Sequence, residues 1–298
     1  MAAIVRKAAG THNAASSARR STKLPYLLLL PGMLWLVIFF LAPILSLVST
    51  STKVPGAGIG EFVQQYRFAN YLDAISQTYP QFFRSFFYAT TATLLALAFA
   101  YPLAYAIAFK AGKWKNTLLV LVVAPFFCSF ILRTVAWKQL LSQDGLVTKI
   151  FTTLHILSPG SYLTSNAIAV VVGLSYNFLP FMTLPLYASL ERIDPRTIEA
   201  SGDLYANTFE TFRKVTVPLS MPGVVAGTLL TFIPAAGDYV NAYILGTPAT
   251  TMIGNVINAQ YLATTNYPLA ATLSFILMFV ILVLVLWYIR KSGTDELV

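Results

Sequence analysis

The sequence predicts an all-α polytopic membrane protein with six transmembrane helices and both termini in the cytoplasm. Three observations carry that prediction. Asp, Glu, Lys and Arg make up 10% of the 298 residues and hydrophobic residues 57%, whereas an ordinary soluble domain is about 25% charged. Six stretches of 17 to 25 residues hold no charge, and a hydrocarbon core about 30 Å thick takes about 20 residues of helix. Lys and Arg then collect on one side of the alternation those stretches impose. So little charge cannot keep a soluble surface wet. Soluble enzymes, disordered chains and collagen-like fibres are excluded.

Residues 1–24 are rich in Ala, Ser and Thr and carry Arg6, Lys7, Arg19, Arg20 and Lys23 without an acid. They read as a solvated basic cytoplasmic tail, with binding to anionic headgroups as the sharper alternative. The first span covers about 25–48. A basic start before an apolar run resembles a secretory signal, but this run exceeds the roughly 7–15 residues of a signal core and lacks a clear small-residue cleavage site. It reads as a retained helix.

The second span covers 85–109. The third covers 116–137, extended past Arg133 to Trp137 because Asn116–Leu132 alone is short. The fourth covers 166–190, the fifth 215–237 and the sixth 269–289. None alternates as a barrel strand would. No charge occurs between Asp238 and Arg290, yet Thr247–Thr251 and Ala263–Pro268 are rich in Thr, Pro and Asn. That composition suits an external or re-entrant loop. Fourteen of the 20 basic residues fall on the tail side of this alternation, which places both termini inside. The net charge of +9 is then topology, with no nucleic-acid partner implied. Arg84 and Arg133 lie at predicted outer helix ends, where snorkelling is the default.

Cys128 is the one cysteine and His12 and His155 the two histidines, so neither an internal disulfide nor a multi-cysteine or His-built metal site is expected. Cys128 reads as a small packed residue.

One cytoplasmic loop, 191–218, looks built. Glu191–Met221 holds five of the eleven acids. Asp194 can cap a helix and Pro195 is tolerated at its first position. Ile198, Ser201, Leu204 or Tyr205, Phe209 and Phe212 then recur at near-helical spacing, giving one amphipathic helix on the cytoplasmic face. An interfacial helix that merely anchors a loop explains the same pattern.

Glu199-Ala200-Ser201, followed by Val215-Thr216-Val217-Pro218, resembles the EAA loop of importer-type ABC permeases. That family's Gly position is Tyr205 here, a departure that bears on the bend between two short helices. Leu179-Pro180-Phe181-Met182, Leu184-Pro185 through Glu191, Phe232-Ile233-Pro234-Ala235-Ala236-Gly237-Asp238-Tyr239-Val240 and Arg133-Thr134-Val135-Ala136-Trp137 are similar to the spermidine/putrescine permease subfamily, first-subunit type. The likeness covers roughly 24–290.

The resemblance implies the importer-type ABC permease fold in a bacterial-type inner membrane. It implies partners: an ATPase subunit dimer, a second homologous permease subunit and an extracytoplasmic solute-binding protein, in addition to the lipid bilayer. Coupling to the ATPase would fall to Asp194, Pro195, Glu199, Ala200, Ser201, Asp203, Tyr205, Ala206 and Phe209. No G-x-x-x-x-G-K-[ST] phosphate loop occurs in the chain. The chain is therefore expected to bind no cofactor and not to be an enzyme, with ATP and Mg used by the separate ATPase.

For the substrate pathway, Asp238 stands out as an acid ending a charge-free stretch. With Tyr239 and Tyr243 beside it, it could hold an ammonium group by Coulomb and cation–π attraction. Capping a helix, or pairing with Arg133, explains it equally simply. Asn241, Tyr176 and Asn177 are further polar candidates, and Arg133 with Trp137 a possible gate contact. The remaining alternatives are an importer permease for another small cationic or organic solute, and a secondary transporter needing no ATPase.

Overall fold

The computed structural model describes residues 24–56, 58, 60–158 and 163–292. The predicted tail, up to residue 23, lies outside the described residues. The chain divides into two units, Met1–Ser46 and Leu47–Val298.

In the first unit, helix α1 (Leu24–Leu36) runs through a π-helical turn, Val37–Leu41, into α2 (Ala42–Ser51). The stretch Leu28–Ser51 is long and apolar enough to cross a membrane, which matches the retained first span. Pro31 lies inside α1.

The second unit starts with an element outside the all-α expectation. Strand β1 (Lys53–Pro55) pairs antiparallel with β2 (Phe62–Gln64), with Val54 opposite Val63. The Asn70 amide pins this hairpin to the next helix by donating to the Ser51 and Lys53 carbonyls, each at 2.9 Å. That helix, α3 (Ala69–Phe109), is 41 residues long, or about 60 Å at 1.5 Å per residue. It starts 16 residues before the expected 85. Its first turns carry Asp73 and Arg84, so a search for uncharged residues stops where the helix leaves lipid. Arg84 is consequently mid-helix, where its Nη1 donates to the Thr251 carbonyl at 2.8 Å.

The third span is not the continuous helix expected over 116–137. Helix α4 (Lys115–Val123) passes through a 3-10 turn at Ala124–Phe127. Cys128 and Ser129 are extended, and α5 (Phe130–Leu141) leaves with the chain bent by 95°. Pro125 cannot donate to the ladder, and extended residues end it. Cys128 sits exposed in this break, not packed. Helix α6 (Leu146–Thr153) follows.

Helix α7 (Ala167–Glu191) agrees with the fourth expected span to within a residue. It is capped by Asn166, which accepts from the Ala169 N–H. After α8 (Pro195–Asp203), α9 (Thr208–Thr211), a π turn Phe212–Thr216 and α10 (Val217–Leu219), the chain bends by 64° into α11 (Met221–Ala236). The fifth span thus starts after Ser220, later than the expected 215. The stretch after Asp238 holds two helices, α12 (Val240–Leu245) and α13 (Ile253–Leu262), before α14 (Tyr267–Ser292). Neither is a candidate span. Among the described residues, four helices can cross a membrane as they stand, and up to six spans result if each bent pair counts as one.

The centre of this unit is α3 against α7 and α11. Ala89, Ala92, Ala96, Ala100 and Ala104 of α3 are fully buried and form one stripe at spacings of three and four. Leu174, Met182, Leu186 and Leu190 of α7 pack into the same clusters. Small residues let helix backbones approach without hydrophobic help from water. Gly223 and Gly227 do this on α11. A Cβ at Gly223 would lie 2.7 Å from the Pro185 carbonyl oxygen, and one at Gly227 would lie 2.8 Å from the Met182 sulfur.

Candidate functional site

Two groups of residues singled out by sequence form distinct local structures. The first is the loop 191–218. The expected single amphipathic helix is two helices. Asp194 caps α8, its carboxylate accepting from the Arg196 N–H at 2.9 Å, and Pro195 takes the first helical position. Glu199, Ala200 and Asp203 lie exposed along α8. The helix ends because Tyr205 adopts φ +62°. The Ala206 N–H then reaches back to the Ser201 carbonyl at 3.1 Å, and the Tyr205 N–H to the Gly202 carbonyl at 2.9 Å. These two bonds satisfy the end of α8 in the pattern a glycine normally supplies. The departure at Tyr205 therefore leaves the bend in place: the chain makes it with a tyrosine in the left-handed region, at a cost of about 1–2 kcal/mol.

Asn207 then caps α9 in a reciprocal box with Glu210. The Asn207 N–H, and next the Lys214 ammonium, hold the Glu210 carboxyl below the usual carboxylate range. Ser201 and Thr211 share a hydrogen bond of 2.8 Å, which ties α8 to α9. The tip is apolar and uncovered: Leu204 is 80% exposed, Tyr205 98% and Phe209 69%.

Its base is anchored. The Phe212 ring meets Tyr101 and Tyr105 of α3 edge-on at 5.5 and 6.0 Å. The Tyr101 hydroxyl shares a 2.7 Å hydrogen bond with Ser220 at the bend. Lys115 forms an ion pair with Glu191 and lies over the Tyr187 ring. Ile193 is buried among Ala104, Leu186 and Leu190, with Ile198 against the same cluster. Sequence reading missed Phe212–Tyr101 and Ser201–Thr211 as contacts; the aromatic spacing of Tyr101 and Tyr105 was the available signal.

The second group centres on Asp238, Asn241 and Asn177. Asp238 is buried and caps α12: it accepts from the Asn241 N–H at 2.8 Å and from the Asn241 amide at 3.2 Å. The Asn241 oxygen accepts from the Asn177 amide at 2.9 Å, and that amide also reaches Thr134 at 3.1 Å. This polar ladder runs from the end of α11 through α12 and α7 to α5. The Asn177 side-chain oxygen is buried without a hydrogen-bond partner.

Tyr239 and Tyr243 are exposed, Tyr243 by 81%, and Asn241 donates to both Asp238 oxygens. An Asp238–Arg133 pair is absent from the ion pairs among the described residues. Trp137 packs edge-on against Tyr176 at 5.2 Å. Arg133 is 8% exposed, with its guanidinium carbon 5.6 Å from the Phe126 and Phe130 ring centres. Among the described residues no group of three or more His, Cys, Asp or Glu side chains could hold a metal.

Known proteins share this arrangement. Residues 21–291 match the family described as binding-protein-dependent transport system inner membrane component. The spermidine/putrescine transport system permease protein PotB of Haemophilus influenzae is 34% identical over 259 residues, covering 87% of this chain and 90% of that protein. PotB of Escherichia coli is 33% identical over 260 residues, covering 87% and 94%. The inner membrane ABC transporter permease protein YdcU of E. coli is 29% identical, covering 91% and 90%. A chain of a bacterial alginate ABC transporter, solved in complex with its alginate pentasaccharide-bound periplasmic protein, superposes with a TM-score of 0.69. Its identity is 18%, and the match covers 92% of this chain and 95% of that one. At that identity the likeness concerns the fold, which is that of importer ABC permeases.

Proposed function

The chain belongs to the family of binding-protein-dependent transport system inner membrane components, and from that membership we propose that it is a permease subunit of an ATP-driven polyamine importer. It is a multi-pass inner-membrane protein and not an enzyme. The observation that carries the substrate class is the likeness to PotB proteins along nearly their whole length. Six spans with both termini inside fit the two bent pairs and the basic residues counted above. A second, homologous permease completes the pathway, a solute-binding protein delivers spermidine or putrescine from outside, and a pair of ATPase subunits consumes ATP and Mg.

The tip Leu204–Phe209 supports a docking role. It presents three large apolar side chains on a helix pair locked by Ser201–Thr211 and by two caps. Glu199 and Asp203 flank it with charge. Closure of the ATPases pushes this pair, and Phe212 passes the push to α3 through Tyr101 and Tyr105. Ser220, at the 64° bend, is where the push meets α11. A π turn directly before a bend is a common place for a functional hinge. At the far end of α11 stand Asp238 and the ladder through Asn241, Asn177 and Thr134. Their oxygens, with the rings of Tyr239, Tyr243 and Tyr176, suit a chain of ammonium groups. Arg133 would repel one and is left out of that set; Trp137 holds Tyr176 in place.

The test is uptake by the reconstituted complex with ATP, comparing spermidine, putrescine and an alginate oligosaccharide. Uptake and ATPase stimulation by the polyamines alone are expected. Stimulation by another solute with none by either polyamine would overturn the substrate class and leave the permease role standing.

A further inference from the structure

Arg133 is the one membrane-embedded feature whose chemistry the polyamine pathway does not use. It sits four residues into α5, just past the 95° break. Its Nε and Nη1 are buried with no hydrogen-bond partner. It takes part in none of the three ion pairs among the described residues, and both oxygens of Asp238 are engaged by Asn241. Two phenyl faces shelter the guanidinium carbon at 5.6 Å, which offers attraction but no hydrogen-bond acceptor in the plane of the fork. A bare cation inside a membrane span costs about 2.5–3.5 kcal/mol even on insertion scales. Such residues pair with something.

A cavity of about 220 Å³ adjoins it. Arg133 and Tyr176 are its polar members, and Leu118, Leu121, Pro125 and Leu179 are among its apolar walls. Sites for whole small molecules run to roughly 300–1,000 Å³, so this one suits a side chain better than a solute. Polyamines carry no anionic group and are excluded by charge as well. From Lys115 the chain rises about 21 Å to Phe127, counting 1.5 Å per α-helical and 2.0 Å per 3-10 residue. That is deeper than a lipid headgroup reaches. The apolar face around the cavity is uncovered, with Leu121 67% exposed, Phe127 87% and Leu132 67%.

We infer that this cavity receives an Asp or Glu side chain of the second permease subunit, with Arg133 as its counterion and Leu118 and Leu121 as the wall against which the neighbouring helix packs. A forked guanidinium matches a carboxylate in two parallel hydrogen bonds, which fixes the rotation of one permease against the other. The inference rests on the importer reading only for the existence of a second permease, and not on which solute is carried.

The experiment uses the assembled complex in detergent. A photoreactive phenylalanine in place of Leu121 should cross-link to the second permease. In Arg133→Met that cross-link should fall and the second permease should dissociate about tenfold more readily, because it leaves a buried carboxylate unmatched. Arg133→Lys, which keeps the charge without the fork, should fall between. A cross-link to lipid, to the ATPase or to the binding protein overturns the inference, as does an Arg133→Met complex that holds together like the native one. If Arg133→Met does not accumulate, the Leu121 cross-link decides alone. Co-purification of a second permease without that cross-link sinks the site while leaving the importer reading intact.

Discussion

Tyr205→Gly should make the cytoplasmic loop more stable and a worse ATPase partner at once. The backbone there is left-handed. A side chain in that region costs about 1–2 kcal/mol, and glycine removes the cost. Glycine also has about 0.5–1 kcal/mol more freedom to lose on folding. The net gain to the α8–α9 turn is about 0.5–1 kcal/mol, a factor of roughly two to five. Exchange of the Ala206 N–H, which closes the turn onto Ser201, should slow by that factor, measured by hydrogen exchange of the purified permease pair.

Docking moves the other way. The ring is 98% exposed, so all of it is available to a partner. An aromatic side chain buries about 150–250 Å², worth about 4–6 kcal/mol at 25 cal/mol per Å². After ordering and desolvation costs, a contact of this kind leaves about 2 kcal/mol, or roughly 30-fold in affinity. The assay is binding of the ATPase subunit to the solubilised permeases. If Tyr205→Gly binds as tightly as the native chain or more so, the ring takes no part in docking and the residue is simply a costly substitute for glycine. Faster exchange at Ala206 would refute the backbone half of the argument.

Three further outcomes are expected. Gly223→Val drives a side chain toward the Pro185 carbonyl and Ser189, so the thermal transition of the purified complex should drop by the equivalent of about 1–3 kcal/mol; an unchanged transition would mean α11 and α7 have room to part. Asn241→Leu strips Asp238 of both donors and Asn177 of an acceptor. It should destabilise by about 3 kcal/mol, and adding Asp238→Asn should restore part of that; no restoration would show that the acid's charge is not the source of the cost. Glu199→Lys should lower ATP-coupled uptake while insertion into the membrane stays normal, and full uptake would remove Glu199 from the docking surface.

How far the sequence could be read depended on where charge sits relative to helix ends. The fourth and sixth spans were legible because their uncharged runs stop within two or three residues of α7 and α14. The first 16 residues of α3 were not, since Asp73 and Arg84 interrupt the run. Periodicity would have found them: Ala74, Thr78 and Ser85 are buried on one face. The bend in the third span was hidden because Pro125 was read as part of a helix, and the two extended residues after it carry no composition signal. In the loop, the caps at Asp194 and Pro195 were local and therefore visible. The Ser201–Thr211 bond joins residues ten apart, across a turn that a single helix would not contain. Asn177 and Asn241 were each named, but their contact spans 64 residues and is a product of packing. Tyr205 was read as a departure from glycine; dihedral angle, unlike residue type, is not written in one sequence.

The buried alanines of α3 have a consequence for where this protein can move. Alanine has no rotamers, so the seam with α7 has nothing to rearrange and no side-chain freedom to recover by loosening. Helices joined this way travel as a single rod. Slippage between them would require backbones already in contact to climb over one another, as the glycine positions on α11 also show. A displacement delivered at the cytoplasmic tip therefore cannot be absorbed within the bundle as a cushion would absorb it. It must surface where the chain already turns, at the 64° and 95° bends. Stiffness at the centre thus makes the two broken spans the sites where small thermal or mutational changes translate into altered gating.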